Sequence, residues 1–170
     1  YRRAAEREAS FALENLATPT GALKRIYRAD GTELDGYLED YAYLADGLLA
    51  LHTATGTQRW LDAASAVVDQ MIERFWDAPH GGFSYSQAAA DDLIVRVKEA
   101  TDSALPSTNA VATRCLTVLA RKTGRQDLEL MATRTLRAFG GAMTQQPAAY
   151  TSMIDAAWDY HTTLDRVVQG

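Results

Sequence analysis

Two groups of polar residues in this chain have the makings of a catalytic or binding site. Glu39, Asp40 and Tyr41 follow one another at the head of an apolar segment, and Asp102, Ser107 and Asn109 stand at the head of another. Paired carboxylates can serve as general acid and base, or orient the hydroxyl groups of a ligand. Inverting chemistry would need the two carboxyls about 6.5–9.5 Å apart. Neighbouring residues on a helix point in different directions, so a catalytic Glu39 or Asp40 would draw its partner from another segment, with Asp102 the best candidate. The same residues also have a purely structural use. Carboxylates in a first helical turn are stabilised by about 0.3–1 kcal/mol each through exposed amides and the helix dipole. Asp102 or Ser103 can cap a helix, Pro106 is tolerated in a first turn, and Asn109 can fix a loop.

Other candidates are scattered. Arg96 and Lys98 share one face of the alternating run Ile94-Val95-Arg96-Val97-Lys98, where they form a solvated strand edge, hold an anionic group, or pair with Asp102. Phe83 and Tyr85, beside Gly81-Gly82, either stack on a ligand ring or anchor the loop. His52, His80 and His161 lack metal-ligand spacing, so no metal is expected. No glycine-rich phosphate loop or Ser-His-Asp arrangement is visible, and no cofactor is expected. The single cysteine, Cys115, lies in an apolar segment and reads as a core residue without an intrachain disulfide partner; a reducing, cytoplasmic setting is the corresponding expectation. A net charge of −5 with dispersed basic residues argues against nucleic acid as the main partner. No apolar stretch approaches the roughly 20 residues of a membrane span.

The elements that must position these residues are helices. Residues 2–16, 58–76 and 125–140 each carry one apolar stripe, as in Trp60, Ala64, Val67, Val68, Met71 and Phe75, against a charged side. Residues 37–54, 105–122 and 148–165 are apolar nearly all round, which marks buried helices. Outer and inner helices therefore alternate. Two of the inner helices end in the same punctuation, Thr55-Gly56 and Thr123-Gly124, 68 residues apart, and a new helix opens shortly after each. That is a helical hairpin, repeated. The long connections after the first and third helices, around residues 20–27 and 80–86, read as turns followed by short extended stretches. All long loops fall where outer helices end and inner ones begin, so that end is the expected binding face.

Gly36-Tyr37-Leu38-Glu39-Asp40-Tyr41-Ala42, His80-Gly81-Gly82-Phe83 and Asp102-Ser103-Ala104-Leu105-Pro106-Ser107-Thr108-Asn109-Ala110, with Ala54-Thr55-Gly56 and Arg59-Trp60-Leu61, carry a family resemblance. Over roughly residues 30–125 the chain resembles the helical region of the thioredoxin-domain family that includes spermatogenesis-associated protein 20. The resemblance implies an α/α toroid of the six-hairpin glycosidase type. It departs from the family pattern at Ser103, Thr108 and Ala110, where the family usually has glycine, glycine and serine.

The expectation is thus an all-α fold of stacked helical hairpins, a partial α/α toroid with short β excursions in its long loops. Residues 1–170 form one domain, the C-terminal half of a larger toroid, and the start at Tyr1 is read as the interior of a longer polypeptide. The implied function is carbohydrate-related, with a cup lined by Glu39, Asp40, Tyr41, Asp102 and Asn109 and a ligand held by Phe83, Tyr85, Arg96, Lys98 and Ser107 as well. Two alternatives stand beside it: a non-catalytic scaffold that docks a thioredoxin-like domain or a protein partner, and a sugar 2-epimerase, which the histidine placement disfavours. Missing N-terminal helices, a thioredoxin-like domain, carbohydrate, and self-association through apolar flanks are the expected partners.

Overall fold

A computed structural model of the chain describes residues 1–28, 34–86 and 97–168, with the backbone alone for 163–168. Among these residues the chain forms α1 (Arg2–Asn15), α2 (Leu38–Thr55), α3 (Gln58–Phe75), α4 (Thr108–Thr123), α5 (Gln126–Gln145), a single 3-10 turn at Pro147–Ala149, and α6 (Thr151–Val168).

The repeated Thr-Gly ending has one physical cause in both places. Gly56 (φ 68°) and Gly124 (φ 73°) take the left-handed conformation that a Cβ disfavours, and their amides donate to His52 O and Ala120 O at 2.8 Å. The preceding threonine hydroxyls donate back to Leu51 O and Leu119 O at 2.6 Å. The chain reverses there and starts α3 and α5.

Packing follows the expected alternation. α2, α4 and α6 lie side by side, α3 covers α2, and α5 covers α4. Ala45 and Leu48 of α2, Val68 and Met71 of α3, and Cys115 and Leu116 of α4 are wholly buried in one core. A smaller cluster around Ala110, Leu136 and Met153 seats α6. α1 differs from the other outer helices in having no buried residue.

Boundaries shift where caps and glycines decide them. α4 starts at Thr108, because the Ser107 hydroxyl caps it by accepting from Ala110 N (3.3 Å); Pro106 lies outside the helix rather than in its first turn. α5 runs through Gly140 and Gly141 to Gln145, since both glycines face open space and the helix keeps its backbone bonds until Pro147. The β excursions are single antiparallel bridges, Ala17 with Leu23, Lys24 with Asp35, and Trp76 with Phe83.

Candidate functional site

Position 41 of α2 and position 109 of α4 are equivalent in the repeat, and both do the same job. Each returns a polar side chain to the loop that feeds its own helix. Tyr41 is fully buried; its hydroxyl accepts from Leu23 N at 2.8 Å and its ring meets Phe75 edge-on at 5.2 Å. Asn109 is also fully buried. Its Oδ1 accepts from Phe83 N (2.8 Å) and its Nδ2 donates to Phe83 O (3.0 Å) and Glu99 O (2.8 Å). Buried backbone groups must find partners, and these side chains supply them. Phe83 is buried as well, 5.2 Å from Trp76. Tyr41, Phe83 and Asn109 therefore leave the list of ligand contacts: none has surface to offer. Ser107 is 4% exposed and occupied as the α4 cap.

Asp102 also has work inside the fold. Its carboxylate accepts from Ser107 N (2.8 Å), Thr151 Oγ1 (2.6 Å) and Ser152 N (2.8 Å), tying the entrance of α4 to the first turn of α6. Burial pushes its pKa upward, but the hydrogen bonds from Thr151, Ser152 and Ser107 outweigh that and hold it below the usual carboxylate range. A carboxyl held low and ringed by donors is a poor proton donor at neutral pH. Lys98, expected beside Asp102 or an anion, instead bonds Asp77 (2.7 Å) and Gly81 O (2.6 Å). It braces the Gly81-Gly82 turn, where Gly81 (φ 77°) lies so near α5 that a Cβ would fall 2.8 Å from Arg134 O. Arg96 lies outside the described residues.

The remaining candidates converge at the head of α2. Asp40 accepts from Tyr37 N at 2.8 Å, a helix cap, and both Asp40 (3.1 Å) and Glu39 (2.6 Å) contact Arg25 Nη1. The Arg25 guanidinium lies 5.3 Å from the centre of the Tyr37 ring, which stacks on Tyr85 at 5.2 Å. Beside this cluster opens a cleft of about 310 Å³ whose lining includes Arg25, Glu39, Asp40, Tyr43, Leu44 and Leu105. Tyr43 bridges its two sides, donating to Pro106 O at 2.7 Å. Burial first, and then the charges of Glu39 and Asp102, raise the pKa of the Tyr43 hydroxyl. Tyr43 lies in the second turn of α2 and Pro106 two residues before α4, so their hydrogen bond places the heads of α2 and α4 at the same end of the inner layer. One turn further in, Asp46 and Arg114, themselves 68 positions apart, form a two-point ion pair (2.9 and 3.2 Å).

Sequence reading missed Arg25, Tyr37 and Tyr43 as site residues. Tyr43 was recoverable: it follows Glu39 by four residues, hence on the same helical face. Arg25 comes from the preceding loop, and nothing local to it points to α2. Among the described residues no group of His, Cys, Asp and Glu side chains could hold a metal ion, and no described helix is long and apolar enough to cross a membrane.

Known proteins agree with this architecture. Spermatogenesis-associated protein 20 of Rattus norvegicus is 36% identical over 134 residues, 78% of this chain and 17% of that protein. The chain belongs to the family that includes spermatogenesis-associated protein 20. The protein of that name from Mus musculus is 35% identical over 158 residues, 88% of this chain and 20% of its own length. The chain therefore spans a fifth or less of these family members. No protein-family model matches it. Among solved structures, a GH76 α-mannanase of Bacteroides thetaiotaomicron superposes with a TM-score of 0.66 at 15% identity, over 91% of this chain and 44% of that one. Cellobiose 2-epimerase of Spirochaeta thermophila gives 0.60 at 22% identity, over 81% and 36%. Both are α/α toroids, which establishes the fold type for this member of the family.

Proposed function

We propose that the chain is part of a carbohydrate-handling toroid and that the cleft at the head of α2 takes a sugar. One observation carries the reading: a carboxylate (Glu39), a guanidinium (Arg25) and a phenol (Tyr43) share the wall of one cleft at the loop-bearing end of the inner helices. A few placed polar groups on an otherwise apolar wall is the pattern of a small-molecule site. The names of the two solved neighbours, a mannanase and an epimerase of cellobiose, agree with it at the level of fold. Glu39 is the residue we assign to the ligand, with Arg25 holding it in place; Asp40 caps α2 and Asp102 ties loops. With Asp40 and Asp102 taken up by the fold, no second carboxyl for a hydrolytic pair is assigned among the described residues. The epimerase alternative draws no support from the histidines: His52 contacts Thr57 O, His80 contacts Asp77, and none of the three lines the cleft.

Titration calorimetry and product analysis with α-mannooligosaccharides and cellobiose test the reading on the native polypeptide that contains these residues. Glu39→Gln removes the charge at constant shape. The ion pair it breaks is about a third exposed and worth under about 1 kcal/mol, so the fold survives. Sugar binding should weaken at least tenfold. Equal affinity in the variant, or no binding by the parent, overturns the proposal. The scaffold alternative rests on a separate feature, the apolar groove beside the cleft.

A further inference from the structure

The backbones of the outer helices α1 and α3 do not approach one another, nor do those of α3 and α5; long side chains span both seams. In the α3–α5 seam the bridge is fully charged. Arg125, the residue before α5, donates to Asp69 of α3 and to Asp127 of its own first turn, both at 2.6 Å. The chain's repetition gives the matching positions in the α1–α3 seam. The 68-residue offset of the two Thr-Gly endings sets Thr57 against Arg125 and Arg59 against Asp127. Ala17 bridges Leu23 as Trp76 bridges Phe83, which aligns the end of α1 with the end of α3. In that register Ser10, seven residues before Ala17, stands against Asp69, seven before Trp76.

Positions that hold a carboxylate, a guanidinium and a carboxylate in one seam therefore hold a hydroxyl, a hydroxyl and a guanidinium in the other. Arg59 donates to Ser10 Oγ and lies 4.2 Å from the centre of the Trp60 ring. Among the described residues no carboxylate pairs with Arg59, and none pairs with Arg3 or Arg7, four apart on α1. All three arginines line one cleft of about 650 Å³ between α1 and the start of α3. Glu6 and Glu14 share its wall, but Glu6 already faces Arg2 at 3.9 Å, so positive charge is left in excess. Phe11, 45% exposed and common to this cleft and the apolar α1–α2 groove, adds an open aromatic ring.

We infer that the α1–α3 cleft binds a phosphate group, as the free ion or as a monoester, through Arg3, Arg7 and Arg59. Guanidinium forks match phosphate oxygens in pairs. A tetrahedral dianion offers acceptors to several forks at once, where a carboxylate presents a single edge. Bound there, it would join the two outer helices as Arg125 joins the next two, with the signs of charge exchanged. The cleft adjoins the Thr55-Gly56 reversal, the end of α2 away from Glu39, so the inference is independent of the sugar reading.

Titration calorimetry of the native polypeptide with inorganic phosphate and with phenyl phosphate tests it, each against sodium chloride of equal ionic strength. Both phosphates should bind and chloride should not. Tighter binding of phenyl phosphate assigns the site to an ester; equal or weaker binding assigns it to the free ion. A double variant, Arg3→Gln with Arg7→Gln, changes two exposed side chains that make no hydrogen bond or ion pair among the described residues, so it stays folded. It should bind phosphate more weakly by about tenfold or more, the size of one lost charged hydrogen bond. Ser10→Asp restores the carboxylate of the other seam beside Arg59 and should lower phosphate affinity by a similar factor. No binding of either phosphate by the parent, or undiminished binding in either variant, overturns the inference.

Discussion

Asn109→Ala is the sharpest test of how this fold assigns its polar residues, because the same asparagine would be a ligand contact on residue type alone. The structure gives it three hydrogen bonds: from Phe83 N, to Phe83 O and to Glu99 O. Truncation leaves the Phe83 amide buried without an acceptor, which costs about 1–3 kcal/mol. The Phe83 carbonyl adds about 1 kcal/mol, and the Glu99 carbonyl, on an exposed residue, adds less because water can replace the donor. The sum is about 3 kcal/mol. For a domain of this size each kcal/mol shifts the unfolding midpoint by about 2–4 °C, so a fall of roughly 6–12 °C is expected by calorimetry or circular dichroism. Sugar affinity, measured well below that midpoint, should change little. A loss under about 1 kcal/mol, or a stable variant that has lost ligand, would refute the assignment of Asn109 to the loop.

Further expectations follow from named groups. Lys98 first, and then His80, hold the Asp77 carboxyl down at about 2 against burial. A depressed folded pKa adds stability above the unfolded value, here at most about 2 kcal/mol, that is lost as pH falls from about 4 toward 2. Urea midpoints measured across that window should drop, and the drop should shrink in Asp77→Asn. Burial pushes the Cys115 thiol well above its ordinary range, so an aromatic disulfide reagent at pH 8 should find no thiol in the native protein and one after denaturation. The Asp46–Arg114 pair is 35% exposed on each side, and a double-mutant cycle should give a coupling below about 1 kcal/mol.

What the sequence made legible was whatever depends on period and punctuation. The alternation of striped and uniformly apolar helices yields the outer and inner layers. The two Thr-Gly endings yield the hairpins, because a left-handed cap has few other solutions. Side-chain destinations were less legible. Tyr41 and Asn109 have the chemistry of ligand contacts, but the atoms that bind a hydroxyl in water also satisfy a backbone amide in a core, and residue type cannot tell the two apart. Lys98 and Arg25 fail for a related reason: each belongs to a loop, and its partner is chosen by tertiary approach rather than by spacing. Glu39 and Asp40 both line the cleft, and Asp40 takes the capping role that either could have filled.

The tie between each inner helix and the loop that feeds it bears on how such a protein can grow. Donor and acceptor travel on the same stretch of chain, 18 residues apart for Leu23 with Tyr41 and 26 apart for Phe83 with Asn109. A coding segment of one outer-plus-inner unit, copied or deleted in frame, carries this fastening with it, while the ties between units, Asp46 with Arg114 and Asp102 with Thr151 and Ser152, lie at the seams. Lengthening the ring is then a matter of inserting whole segments, with new adaptation confined to the seams.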